Sequence, residues 1–240
     1  MHLRGRVLAV GENYHVFNRG AHKQTIFCCQ EDYDRFQILL YLLNTRLPVV
    51  MRDILSNYKG RSLANIFIEE PCDRSLVDIL GYALMPNHFH LIIRQRAEKG
   101  ISRFMKKLCT AYSMYFNEKH EHSGVLFQGR YKAKHIDNDS YFRYIFAYVH
   151  LNPFDLMQSD WKDVGVKNRA LARSFLSNYR HSSLCDYVGA ERPEHAILAR
   201  ADAPDFLKNQ NDVEDLLKWQ SAGELDAGDP SIENKLRDSV

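Results

Sequence analysis

The chain has 240 residues, of which 45% are hydrophobic and 26% charged, and its formal net charge is +2. This is ordinary globular composition, sufficient for one domain with a buried core. No stretch approaches the roughly 20 apolar residues of a membrane span, and no apolar run of a secretory signal follows Arg4 and Arg6. Five cysteines without CxxC spacing predict reduced thiols. The sequence therefore predicts a cytoplasmic protein.

Charge is unevenly distributed along the chain. Residues 201–240 carry four Lys/Arg against ten Asp/Glu, whereas residues 94–134 carry ten basic and three acidic side chains. A basic centre suits a polyanion, because neutralising phosphates drives nucleic-acid affinity. From charge alone, DNA or RNA binding and an unevenly charged solvated surface remain equally open.

Hydrophobic periodicity predicts the order strand, helix, strand, strand, helix, strand, helix. These elements are predicted at residues 14–17, 31–44, 77–85, 88–94, 102–119 and 130–136, and from a cap at Asp139 or Ser140 to Asn152. Shorter helices are predicted near residues 52–58, 168–176 and 213–219. The turn at residues 85–87 joins two antiparallel strands, since Pro and Asn favour turns. The order predicts an α+β fold in which helices pack on one face of an antiparallel sheet.

The motif with the most chemical content is His88-Phe89-His90 at the start of a predicted strand. Strand side chains alternate, so His88 and His90 point to the same face and can share a divalent cation. Two incidental histidines on a half-exposed strand are the alternative. A histidine-triad hydrolase is excluded, because Ile92 holds the next position on that face.

Two further patterns could carry chemistry. Tyr148 and Asn152 lie four residues apart on one helix face, although helical tyrosines more often belong to a core stripe. Alternation places Arg130, Lys132 and Lys134 on one strand face, which suits a phosphate backbone or merely blocks edge aggregation. Neither pattern alone distinguishes function from structure.

Taken in order, these motifs resemble the REP-associated tyrosine transposases, a branch of the single-tyrosine HUH transposases, where HUH means His-hydrophobe-His. The resemblance spans residues 14 to about 153. It is carried by Tyr14-His15-Val16-Phe17-Asn18-Arg19-Gly20, Tyr82-Ala83-Leu84-Met85-Pro86-Asn87-His88-Phe89-His90, Phe127-Gln128-Gly129-Arg130-Tyr131-Lys132 and Tyr148-Val149-His150-Leu151-Asn152-Pro153.

The resemblance implies a ferredoxin-like fold and a transposase that cleaves and rejoins single-stranded hairpin DNA through a 5′-phosphotyrosine. It implies Tyr148 as the nucleophile and His88, His90 and Asn152 as ligands of Mg²⁺ or Mn²⁺. Two imidazoles suit Mn²⁺ better than Mg²⁺. The expected DNA contacts are Arg130, Lys132, Lys134, Arg103, Lys106, Lys107, Asn18 and Arg19.

Two other functions stay open at this stage: a non-catalytic regulator that binds palindromic repeats, and a metal-dependent nuclease that uses water. The resemblance favours a monomer over a homodimer, and a cytoplasmic, nucleoid-associated bacterial protein. The expected organisation is a transposase domain at residues 1–155, a helical extension at 156–220 and a disordered tail at 221–240.

Overall fold

A computed structural model describes residues 8–200 together with Val213, Leu216 and Leu217. Its centre is a four-stranded sheet in the order β2-β3-β1-β4, in which every neighbouring pair is antiparallel. The strands are β1 Asn13–Arg19, β2 Val77–Met85, β3 His88–Gln95 and β4 Lys132–Ile136. This confirms the α+β class and the antiparallel sheet.

Eight α-helices are present within the described residues. They are α1 Gln30–Leu42, α2 Met51–Asn57, α3 Ile66–Glu69, α4 Gly100–Lys119, α5 Asp139–Leu151, α6 Trp161–Val164, α7 Arg169–Asn178 and α8 Leu184–Tyr187. Single 3-10 turns lie at Ala21–Lys23, Leu63–Asn65, Asn152–Leu156 and Pro193–Ile197. No helix in this part of the chain is long and apolar enough to cross a membrane.

One face of the sheet is covered by α1 and α4. Phe36 of α1 contacts both Phe89 of β3 and Tyr112 of α4, with ring centroids 5.0 and 4.9 Å apart. Phe36, Phe89 and Tyr112 are all fully buried, so this aromatic cluster is part of the hydrophobic core. Burial of aromatic side chains of this size contributes strongly to folding.

The opposite face is covered by α5, which corrects the prediction that the helices pack on one face. Tyr148 of α5 contacts His90, and His90 points away from its neighbour Phe89. Gly81 of β2 permits this approach, because a Cβ there would lie 3.1 Å from the His150 ring. The periodicity of α5 could not reveal which face meets the sheet, because Phe142 and residues 145–151 are all buried, so the helix has no single apolar stripe over its last two turns.

The chain after α7 returns to close the outer edge of β2. Ala83 pairs with Ser182, Leu84 N–H donates to His181 O at 2.9 Å, and Ser183 N–H donates to Tyr82 O at 2.9 Å. The buried ion pair between Arg192 and Asp186 lies beside this segment. An edge strand that would otherwise expose its backbone is thereby paired.

Two predicted details change. The cap of α5 is Asn138, whose side chain accepts a hydrogen bond from Tyr141 N–H, and neither Asp139 nor Ser140. β4 begins at Lys132, two residues after the predicted start, because Gly129 turns the chain with a φ of +109°. Val213, Leu216 and Leu217 of the predicted helix at residues 213–219 are helical and buried, whereas the predicted tail at 221–240 lies outside the described residues.

Candidate active site

Strand register gathers the candidate side chains on the sheet face beneath α5. Phe17 of β1 stands opposite His90 of β3 on one side and Lys132 of β4 on the other. His15 likewise stands opposite Lys134, and Arg19 opposite His88. Directly opposite residues share a face, so three strands present histidines, cations and one aromatic ring to the same helix.

The two motif histidines present one free ring nitrogen each. His88 Nδ1 lies 2.7 Å from Asn87 Oδ1, and His90 Nδ1 lies 2.9 Å from His15 Nε2. The Nε2 atoms of His88 and His90 are buried and have no hydrogen-bond partner. Metal-binding histidines characteristically hold one nitrogen in such an orienting bond and offer the other to the ion.

Tyr148 completes this corner from above. Its ring lies 5.6 Å from the His90 ring and 6.0 Å from the His15 ring, both edge-on. The side chain is 5% exposed, and its hydroxyl also has no hydrogen-bond partner. The predicted tyrosine stripe is present, because the rings of Tyr141, Tyr144 and Tyr148 stack one after another along α5. Within this stripe, Tyr148 is the tyrosine that contacts the histidines.

Asn152 is buried in the same corner, but its side chain is already engaged. Its amide donates to Tyr148 O at 3.0 Å, and its Oδ1 accepts from Lys162 Nζ at 3.3 Å. An oxygen that faces an ammonium group is poorly disposed toward a metal ion. The assignment of Asn152 as a third ligand therefore stays a prediction, and Lys162 competes for its oxygen.

Burial and positive charge keep the histidines neutral. Burial, then the charges of Lys162 and Arg19, lowers the pKa of His88 to about 4. Burial, then Lys134, lowers the pKa of His15 to about 3. The pKa of His90 falls well below its usual value, chiefly through burial and further through His88 and His15. Neutral imidazole is the form that ligates metals, so near neutral pH both motif histidines are ready for this role.

His15 and Lys162 are site residues that the sequence did not single out. His15 lies on the right face of β1, but only the β1–β3 register shows that it reaches His90. Lys162 lies beyond the motif-bearing helix, in a region without periodicity. The alternation of His15 with Phe17 along β1 was a weak sequence signal that His15 belongs to the site. No sequence signal pointed to Lys162.

The basic residues expected to bind DNA fall into different places. Lys132 and Lys134 extend across Phe17, with Nζ 5.8 and 5.5 Å from its ring centroid. Arg19 joins the same face, and its guanidinium donates to Gln128 Oε1. Arg130 is exposed in the turn before β4, so strand alternation does not fix its direction.

Other predicted contacts lie away from this face. Asn18 is 7% exposed; its side chain donates to Gly129 O and accepts from Arg19 N–H, so it holds a turn, and its role as a DNA contact stays a prediction. Arg103 and Lys106 are exposed on α4, across the sheet from the histidines. Lys107 Nζ donates to Thr45 O and Leu47 O, both at 2.7 Å.

A separate cluster of potential metal ligands lies at the start of α1. Cys28, Asp32 and His120 place one ligand atom each within 4.8 Å of the others. Asp32, however, already accepts hydrogen bonds from the Cys28 N–H, Tyr115, Lys119 and His120. Burial alone would raise the pKa of the Asp32 carboxyl, but these hydrogen bonds outweigh it and lower the pKa, so the cluster is explained as a helix cap.

Comparison with known proteins adds two findings. Residues 41–152, a little under half of the chain, match the family model described as "Transposase IS200 like". One solved structure, "Structure of the REP associates tyrosine transposase bound to a REP hairpin", aligns at 15% identity with a TM-score of 0.44, covering 78% of this chain and 84% of that one. No curated protein matches significantly.

Proposed function

We propose that the chain cleaves and rejoins single-stranded hairpin DNA through Tyr148, on the premise that the match of residues 41–152 to the IS200-like transposase model reflects the same chemistry. That match supports a DNA-processing enzyme. The tyrosine nucleophile, the metal ligands and the hairpin substrate, which the sequence motifs imply, are the finer parts of the proposal.

The observation that carries the proposal is that three buried, unpartnered polar atoms belong to rings that contact one another in series. The Tyr148 hydroxyl and the Nε2 atoms of His88 and His90 come from one helix and one strand, and none has a hydrogen bond. Leaving a buried polar group unsatisfied costs about 1–3 kcal/mol, so such groups concentrated in one place indicate a site built for something else. A nucleophile beside a cation site meets that description.

The donor set fits a divalent cation held by His88 and His90. Both Nε2 atoms are free and both rings are oriented through Nδ1. When bound, Mg²⁺ or Mn²⁺ would act as a Lewis acid toward a phosphate oxygen. Two nitrogen ligands favour Mn²⁺ over Mg²⁺ on ligand softness.

In the proposed reaction the chain supplies the nucleophile and holds the strand. Tyr148 Oη forms a bond to phosphorus while the bond from phosphorus to the 3′ oxygen breaks. The phenolic proton is released, and the departing 3′ oxygen takes up a proton. The DNA 5′ end remains on Tyr148 as a phosphodiester, so attack by a second 3′ hydroxyl rejoins strands without ATP, consistent with a sequence that has no GxxxxGK[ST] loop.

Covalent trapping tests this function. Hairpin single strands labelled at the 5′ end and, separately, at the 3′ end are incubated with the protein and Mn²⁺, then separated under denaturing conditions. We expect the 3′ label to migrate with the protein. The 5′ label should appear on a shorter strand that ends in a free 3′ hydroxyl. Cleavage without a protein adduct would instead support a nuclease that uses water, and tight binding without cleavage would support a regulator.

The proposed binding face predicts a salt dependence. Each phosphate contact to a single strand adds about 0.7 to the slope of log affinity against log salt. The variant Lys132→Gln/Lys134→Gln should therefore flatten the slope by about 1.4, measured by hairpin binding at several salt concentrations. Flattening by Arg103→Gln/Lys106→Gln, with none from the first pair, would move the DNA to the α4 side of the sheet.

His15 is proposed as a positioning residue for His90. If His90 donates its Nδ1–H to His15 Nε2, the Nε2 lone pair of His90 is left free for the ion. His15→Ala should then lower metal-dependent cleavage by about 10- to 100-fold, the usual effect of removing such a partner.

The same change should raise the Mn²⁺ concentration needed for half-maximal cleavage, and His15→Gln, which keeps an acceptor, should recover much of the loss. An unaltered Mn²⁺ requirement in His15→Ala would show that this hydrogen bond does not orient a ligand. Thermal melts of each variant separate this effect from unfolding.

A further inference from the structure

A fixed cation lies beside the tyrosine, on a part of the chain that no motif covers. Lys162 Nζ is 5.5 Å from the centroid of the Tyr148 ring and 3.3 Å from Asn152 Oδ1. It also lies close enough to both motif histidines to lower their pKa values. Lys162 thus adds a positive charge to the corner where Tyr148 meets His88 and His90.

Neighbouring side chains hold the Lys162 ammonium group in place. Asp155 in the 3-10 turn after α5 accepts from Lys162 Nζ at 2.8 Å. The same carboxylate accepts from the indole N–H of Trp161, which is 1% exposed and packs against Phe154. The nucleophile and the ammonium group are therefore carried by one continuous unit of chain, and the Lys162 side chain remains 28% exposed toward solvent.

A structural role alone explains this arrangement incompletely. A lysine–aspartate ion pair does not require such a position, as Lys167 and Asp160 form one at 2.6 Å between exposed side chains. Lys162 instead lies over the ring of a buried tyrosine and against an amide oxygen, among histidines that are neutral. Concentrating positive charge at such a place disfavours the empty site and favours a bound anion.

We propose that Lys162 is a catalytic residue whose ammonium group contacts a non-bridging oxygen of the scissile phosphate while Tyr148 attacks, and that Asp155 is its positioning residue. This inference rests on the proposed function. Charge builds up on the phosphate oxygens during transfer, and a cation held in advance stabilises that charge without reorganisation. Lys162 neither donates nor accepts a proton in this step, so the proton balance is that of the proposed reaction.

The test separates chemistry from binding. Single-turnover formation of the Tyr148 adduct is measured at saturating hairpin DNA with Mn²⁺, and DNA affinity is measured separately. Lys162→Met should slow adduct formation by about 10²–10³-fold, the usual effect of removing one such charge-stabilising group, and should weaken binding far less. Lys162→Arg should recover most of the rate, and Asp155→Asn should give an intermediate loss.

Lys167→Met is the matched control, since it removes a lysine that is likewise paired with an aspartate a few residues away. It should form adduct at the wild-type rate. Adduct formation by Lys162→Met at the wild-type rate would overturn this inference alone, and so would equal losses in Lys162→Met and Lys167→Met. A wild-type protein that forms no adduct with any hairpin strand would overturn the proposed function as well.

Discussion

Replacing His88 or His90 with alanine is expected to reduce strand cleavage by about 10³-fold and to leave hairpin affinity largely unchanged. A cation in the site stabilises charge by several kcal/mol, and each factor of ten in rate corresponds to about 1.4 kcal/mol. We expect affinity to come from a different set of side chains, the cations of β4 and Arg19, which these substitutions leave in place.

Metal removal provides the companion experiment. Chelation should reduce wild-type cleavage to the level of the His90→Ala variant, and added Mn²⁺ should restore the wild-type protein but not the variant. His195→Ala, which alters an exposed histidine, is the control. Because His90 is fully buried, melting curves must show that the variant is folded. Cleavage by His88→Ala or His90→Ala at the wild-type rate would show that the reaction does not use a metal ion bound by these histidines.

Tyr148→Phe is expected to abolish the covalent adduct while folding and binding survive. The substitution removes one oxygen that has no hydrogen-bond partner in the structure, so the free energy of unfolding should change little or rise slightly. The ring contacts with His15 and His90 are kept. Denaturing gels of labelled hairpin DNA measure the adduct, and thermal melts measure stability.

Tyr144→Phe is the matched control for this change. Tyr144 stacks on Tyr148 one turn earlier, so both variants lose one phenolic oxygen from the same stripe. We expect Tyr144→Phe to capture DNA as the wild type does. Capture of DNA by Tyr148→Phe, or loss of capture in Tyr144→Phe, would show that Tyr148 is not the nucleophile.

The local features of the fold could be predicted from sequence. The bounds of β2 are as predicted and those of β3 differ by one residue, because alternation and a Pro-Asn turn are local signals. β4 was extended too far toward Arg130, since the positive φ of Gly129 is a backbone property that alternation does not reveal. The caps of α5 and α7 are both asparagine side chains, at Asn138 and Asn168.

The parts of the site that depend on long-range pairing could not be predicted. His88 and His90 are two residues apart, so their common face follows from the strand alone. The contact between His15 and His90 spans 75 residues and needs the β1–β3 register. The contact of Lys162 with the Tyr148 ring depends on a 3-10 turn and on an ion pair with Asp155. Both lie in a region where the sequence shows no periodicity.

The identity of the modified residue decides whether Tyr148 is the nucleophile. The adduct from a wild-type reaction is digested with nuclease and trypsin, and the remaining nucleotide is located by mass spectrometry. Cleavage after Arg143 and Lys162 yields a peptide of residues 144–162 that holds both Tyr144 and Tyr148, so fragment ions between them are needed. We predict a nucleotide joined through its 5′ phosphate to Tyr148; a nucleotide on Tyr144, or on any other residue, would contradict the proposed mechanism.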